Sequence, residues 1–561
     1  MPIISPTAIS PHRIGGKSWD TYWTPQYDAV YNAMATKPSN QVMYWQSRML
    51  KKLVDGGYYA KAELMYVFAT HTGGQDVNWK DPGTYDPIKV NTPTFTEFKG
   101  YKGVAATSSR IRTGFNLSAN LSIASQNDMC VILGIADDVD DAAIDFGGYI
   151  WPSGFGFCAR NSNNMNAYLN DNSYNPVSNT NSIGHYSINR SSTTVRKLNK
   201  NITLANQSGN STNIINQELT ICGGNWNYSQ KYNARTIPYL MLFSGLTDFE
   251  QWDVIRIMEE YLDAVGCSLI TGKLAFVDQT SRALVGLTTY LDPANDETIH
   301  PSVIDIGYTW NGYRYWMANT PFPSLDPPAA VDENPSIWAS NDLSTWAVPA
   351  GLTNPIVANP GGGKFNADPD LYFDGTRLYC FYQENDGAGG VTLKCTYSTD
   401  GITWSATQTI TIDQDAGSPS IIKVGSTYYV YYMYGSTPYT LARSSSSNIL
   451  GPYANSEDLT VTAIAGANWW HVDIFQRGNT YWLVIFSIGD SRIYISYSTD
   501  GINFTIPLSA ALMKASANAW ENQSLYRASA VQIGDIYKLF YGCLSSTLGY
   551  HTGVIDMGII D

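Results

Sequence analysis

Five stretches decide the fold: residues 300–319 (HPSVIDIGYTWNGYRYWMAN), 368–383 (DPDLYFDGTRLYCFYQ), 418–434 (SPSIIKVGSTYYVYYMY), 471–487 (HVDIFQRGNTYWLVIFS) and 527–542 (RASAVQIGDIYKLFYG). Each reads as a polar or proline-containing start, an apolar strand, a short turn and an aromatic strand. Their starts, taken at Pro301, Pro369, Pro419, Asp473 and Ala528, lie 68, 50, 54 and 55 residues apart. A unit repeated at this period cannot bury its own faces and has to stack on its neighbours, which is the signature of propeller blades. Three outer turns support the same reading: SNDLSTW (Ser340 to Trp346), STDGITW (Ser398 to Trp404) and STDGINF (Ser498 to Phe504). In the last two, an Asp-Gly turn is followed three residues on by an aromatic ring that folds back over a blade.

Upstream of the repeat the pattern differs. Thr24-Pro25 opens one amphipathic helix, and Ser39 or Asn40 opens a second that stops at Asp55-Gly56-Gly57. From Tyr58 to about Leu242, short aromatic and β-branched runs alternate with Asn, Ser and Gly, the pattern of a β-sandwich. That region closes on LTDFEQWDVIRIMEEYLDAVG, where Thr247 and Glu250 form a capping box and Gly266 ends the helix. The expected organisation is a helical attachment region over 1–57, a sandwich over 58–267 and a five-bladed propeller over 268–561.

Composition restricts the function. Aromatic residues make up 13% of the 561 residues and charged residues only 15%, with a net charge of −14. Such a chain repels phosphate backbones and anionic membranes, so neither nucleic acid nor membrane is expected as a partner. Seven scattered cysteines without a C-x-x-C pair are expected to be reduced packing residues. No secretory signal is read at the start, and Gly361-Gly362-Gly363-Lys364 lacks the spacing of a phosphate loop.

The segment carrying VNWKDPGTY, TGFNLS and LTDFEQWD resembles concanavalin-like (laminin-G-like) jelly-roll modules of bacterial and bacteriophage surface proteins. The repeat resembles the five-bladed propellers of the arabinanase/β-xylosidase clan and their levanase and invertase relatives. The resemblance implies a mainly β fold, with a concanavalin-like jelly-roll sandwich and a short N-terminal helical region ahead of a five-bladed β-propeller. It also implies an Asp base, a second Asp and a Glu acid in a Glu-Gly-Pro phrase. This chain departs from that pattern: His300-Pro301 stands where the base belongs, and Gly417-Ser418-Pro419 where the acid belongs. Only Asp368-Pro369-Asp370 keeps an acidic start.

Groups at the other strand starts supply an alternative site. Asp368 and Asp473 are expected to be a catalytic carboxylate pair, with His471 as proton carrier. Asp370, Glu333, His300, Trp469, Trp470, Tyr526, Arg527 and Glu521 are expected to bind substrate, the rings by stacking on a sugar face. No metal site or cofactor is assigned; calcium is the metal the acidic groups and histidines bring to mind, although the spacing of a calcium loop is absent.

The expected function is a bacteriophage virion-associated fibre or spike that recognises, and can degrade, bacterial surface polysaccharide. Its expected partners are that glycan, other virion proteins and further copies of itself as a homo-oligomer. Two alternatives stand beside it: a soluble glycoside hydrolase for arabinose-, xylose- or fructose-type glycans with an accessory lectin module, and a purely structural virion protein.

Overall fold

Each of the five repeats forms the two inner strands of one antiparallel sheet in the computed structural model, which describes residues 13–14, 17–18, 22–173, 175–226, 229–232, 235–290, 297–322, 333–507 and 511–560. Residues 1–12, assigned from sequence to the attachment region, lie outside these. The chain divides into two compact units, 1–272 with 560–561 and 273–559.

In the first unit two antiparallel-rich sheets face each other across a core that includes Tyr66, Leu133, Phe146, Phe155, Phe157 and Leu240. Period-two alternation sends Val131, Leu133 and Ile135 into that core. The opposite face of the same sheet is covered by the helix Asp248–Ala264, whose capping box is formed as expected. Gln251 of this helix accepts from Ser187 Oγ at 2.7 Å, and Glu259 faces His185 Nε2 at 2.7 Å. The helix Asn40–Asp55 packs on it through Lys52–Glu260 at 2.5 Å and Arg48–Glu260 at 2.8 Å. The helix Pro25–Ala33 joins through Tyr27, which donates to Gln46 at 2.8 Å. The helices over 25–55 are thus part of the covering layer of the sandwich unit.

In the second unit the innermost strands are Thr298–Trp310, Phe365–Phe373, Gly417–Val424, Trp469–Arg477 and Ser524–Ile533, one per blade in that order. Leu274–Val277, from the start of the unit, adds the outer strand of blade five beside Gly549–Ile560, and this closes the circle. An innermost strand is a sheet edge whose free N–H groups need acceptors. The repeat supplies them from side chains. Ser302, Asp370, Ser420, Asp473 and Ser529 accept from the N–H groups of Leu371, Ile421, Ile474, Ala530 and Val303 at 2.8–3.1 Å, each on the neighbouring blade. These five bonds form a closed ring around the axis. Each is worth about 1 kcal/mol net, and a buried N–H left without its acceptor costs about 1–3 kcal/mol.

The outer turns recur more widely than the sequence suggested. In STDGITW, Ser398 Oγ accepts from the N–H of Asp400 and Gly401, and Asp400 Oδ1 accepts from Ile402 and Thr403 at 2.8 and 2.7 Å. The same bonds recur around Asp342 and Asp500; in blade three Ser446 keeps the serine half and Asn448 Oδ1 accepts from Leu450 N, while Ser545 in blade five keeps only the serine half. Trp404 packs into the cluster between blades one and two. All seven cysteines are buried and unpaired.

Candidate active site at the propeller axis

The innermost strands all break register at their starts, between Ile299 and Ser302, Ala367 and Asp370, Gly417 and Ser420, Trp469 and Val472, and Leu525 and Ala528. Such bulges re-aim side chains beside functional sites. In the first three blades the residue before proline takes a left-handed backbone: φ is 66° at His300, 53° at Asp368 and 49° at Ser418. Strain of this kind, about 1–3 kcal/mol each, survives only where the surroundings enforce it.

The bulges bring His300, Asp368 and His471 together, with one ligand-type atom from each lying within 4.8 Å of the others. His300 Nε2 lies 3.1 Å from Asp368 Oδ1, and His471 Nδ1 lies 3.5 Å from the same oxygen. All three residues are at most 4% exposed. His300 Nε2, Asp368 Oδ1 and His471 Nε2 are nevertheless buried atoms without a hydrogen-bond partner. His300 Nδ1 faces Thr320 Oγ1 at 3.1 Å and Glu333 Oε2 at 3.2 Å, so its proton belongs on Nδ1 and its lone pair on Nε2. Ser418 Oγ holds His471 Nδ1 at 2.9 Å.

The electrostatics agree with this arrangement. Burial pushes both imidazoles well below the usual histidine value, helped by Arg527 at His300 and by His300 and then Arg527 at His471. Both rings are therefore neutral at neutral pH, the form that ligates a metal. Burial raises Asp368 to about 6 against the pull of Arg527, whose Nη1 lies 3.8 Å away. Burial, and then the Asp368 carboxylate, holds Glu333 well above the usual carboxylate range. Two neutral imidazoles and one carboxylate, with the His300 ring held through Nδ1, form a donor set for a divalent transition metal or zinc. Calcium, which takes six to eight oxygens, does not fit this set.

The triad opens onto a cavity of about 340 Å³ in the propeller. Glu333, Gln383, Asn385 and Asp415 line one part of it, and Tyr434, Tyr439, Trp470 and Tyr526 supply ring faces. Trp470 stacks on His471 with centroids 5.4 Å apart, and Tyr526 lies 4.5 Å from His471.

The site read from sequence is therefore divided. His300, Glu333, Asp368, Trp470, His471 and Tyr526 share the cavity. Arg527 lies fully buried between Asp368 and Asp370. Asp473 is not the carboxylate partner of Asp368: it stands two residues along its strand from His471, in the ring, and accepts from Ala530 N and Ser420 Oγ. Asp370 is likewise a ring member. Trp469 makes an edge contact with Tyr494 and is not among the cavity-lining residues. Glu521 pairs with Arg282 at 2.8 Å and accepts from Tyr541, away from the site. Ser418, Gln383 and Tyr439 were missed; of these, only Ser418 carried a signal, by standing where the clan acid was expected.

No family model matches the chain. Over 117 residues it is 36% identical to the A type blood N-acetyl-alpha-D-galactosamine deacetylase of Flavonifractor plautii, a stretch that covers 20% of this chain and 15% of that protein. The chain thus spans only a small part of the length of the curated relative it matches. Among solved structures it is similar to an N-acetylgalactosamine deacetylase from F. plautii in complex with blood group B trisaccharide, with 18% identity and a TM-score of 0.45 over 50% of this chain and 96% of that one. It is also similar to the xylan beta-1,4-xylosidase of Bacillus halodurans C-125, with 17% identity and a TM-score of 0.37 over 47% of this chain and 52% of that one.

Proposed function

We propose that the propeller is a metal-dependent glycan hydrolase that removes an N-acyl group from an amino sugar. The observation that carries this reading is the gathering of ligand-type atoms from three buried residues, His300, Asp368 and His471, within 4.8 Å of one another beside a ring-lined cavity. The absence of the clan acid and base phrases favours acyl over glycosidic cleavage, and a protein that shares a 36% identical stretch of 117 residues with this chain is named a deacetylase.

A divalent cation on this triad would polarise an acyl carbonyl and activate water. The chain's own residues supply the rest. Trp470, Tyr526 and Tyr439 present faces for the apolar side of a sugar. Glu333, whose carboxyl burial holds above the usual range, gives its proton to the departing nitrogen as the C–N bond breaks; water supplies the second oxygen of the carboxylate product, and its two protons restore Glu333 and convert the freed amine to ammonium. Thr320 and Glu333 keep the His300 ring oriented throughout.

The test is to incubate the protein with N-acetylhexosaminide glycans and measure free acetate beside new reducing ends. Acetate release abolished by chelation supports the proposal; new reducing ends without acetate would refute it in favour of glycosidic cleavage. The virion setting belongs to the same proposal, supported by the union of a lectin-like sandwich with this propeller in one chain. Mass spectrometry of purified phage particles tests it.

A further inference from the structure

The innermost strands run from the catalytic cavity through the side-chain ring into a second, larger cavity of about 790 Å³ at the other end of the axis. The ring residues Ser302, Asp370, Ser420, Asp473 and Ser529 are its floor, so the two cavities are separated by the ring of five inter-blade hydrogen bonds. Free-edge N–H groups alternate along a strand. The next ones beyond the ring belong to Asp305, Phe373, Lys423, Gln476 and Gln532, all five of which line this cavity. Among the described residues no backbone carbonyl of a neighbouring blade accepts from these five. The walls thus carry donors above a floor whose own groups are engaged in the ring.

Rings stand around the same opening. Tyr372, Phe373 and Phe475 line it, and Phe373 packs against Trp310 at 5.2 Å and Tyr308 at 6.4 Å. Tyr308 is 51% exposed, unusual for a ring in a chain whose aromatics are mostly buried. The Arg314 guanidinium is paired with both Asp305 oxygens at 2.8 and 2.6 Å, which cancels its charge and leaves N–H groups over.

We propose that this cavity is a second, non-catalytic binding site for a neutral oligosaccharide. Sugar hydroxyl oxygens accept from the wall N–H groups, and pyranose C–H faces match exposed rings. A cavity of this size falls in the range of small-ligand sites. Its task is to hold a glycan chain at the opposite end of the propeller from the bond being cut. The inference does not depend on which reaction the first cavity performs.

The test is titration calorimetry of the full chain with cellohexaose, xylohexaose and chitohexaose. Wild type, and a Trp470→Ala/His471→Ala double variant that disables the first cavity, are expected to bind at least one of the three saturably. Tyr308→Ala and Gln476→Ala, each checked for an unchanged thermal midpoint, are expected to weaken that binding about tenfold or more, about 1.4 kcal/mol. They should leave acetate release from a monosaccharide substrate unchanged. Absence of saturable binding in the double variant, or binding that neither Tyr308→Ala nor Gln476→Ala weakens, would overturn the proposal.

Discussion

Replacing Asp473 by Asn separates a ring residue from a catalytic one. Burial, and then the Asp370 carboxylate, raises Asp473 to about 7, and burial raises Asp370 to about 6 against Arg527. A carboxyl whose folded value exceeds its unfolded value, about 3.9, binds its proton more tightly when folded. Its contribution to stability is therefore fully present below about pH 4 and is lost as pH rises towards 7, the reverse of the usual salt-bridged aspartate. At about 1.4 kcal/mol per unit, the Asp370–Asp473 pair stands for on the order of 4 kcal/mol across that window. Asn keeps an oxygen for the Ala530 N–H and has no proton to lose, so Asp473→Asn should flatten the pH profile of propeller stability and raise stability at pH 8 relative to pH 5. Urea unfolding at half-unit steps from pH 4.5 to 8, followed by tryptophan fluorescence, measures this. Acetate release should stay within about threefold of wild type, whereas loss of a general base typically costs 10²–10⁴-fold. A folded Asp473→Asn protein with an unchanged pH slope, or with activity lost a thousandfold, would refute the ring assignment.

Three further outcomes follow from the geometry. Glu333→Gln should lower the rate of acetate release by about 10²-fold or more with metal content retained, since a proton donor is lost and the ligands are not. Trp470→Ala should raise KM about tenfold with a smaller effect on kcat, because the ring face lost is worth about 1–1.5 kcal/mol in stacking. Gly401→Ala should destabilise the propeller by about 1–3 kcal/mol in urea, since φ is 70° there and a Cβ would stand 2.2 Å from the Trp316 ring of blade one.

The architecture was readable because its repeat is local: a turn, an aromatic strand and a spacing of 50 to 68 residues stand in the sequence as written. Gathering His300, Glu333, Asp368, His471 and Tyr526 at one end of the axis also followed from that spacing. The division of labour between Asp368 and Asp370, or His471 and Asp473, did not. Two residues apart on one strand, such groups differ only in which side of a bulge they occupy, and that is set by backbone angles such as the φ of 53° at Asp368. The grouping of His300, Asp368 and His471 was obscured for the same reason, because its members lie 68 and 103 residues apart and no local spacing pairs them. Glu521 misled because an acidic side chain near a strand start looks alike whether it faces the cavity or Arg282.

The most direct test of the central claim is the metal content of the purified full chain after dialysis against Zn²⁺, Mn²⁺ or Co²⁺ and removal of excess. The account predicts close to one bound ion per chain, reduced to background in His471→Ala and in Asp368→Ala and unchanged in Asp473→Asn. A wild-type chain that retains no ion, or an ion retained equally by all three variants, would contradict it.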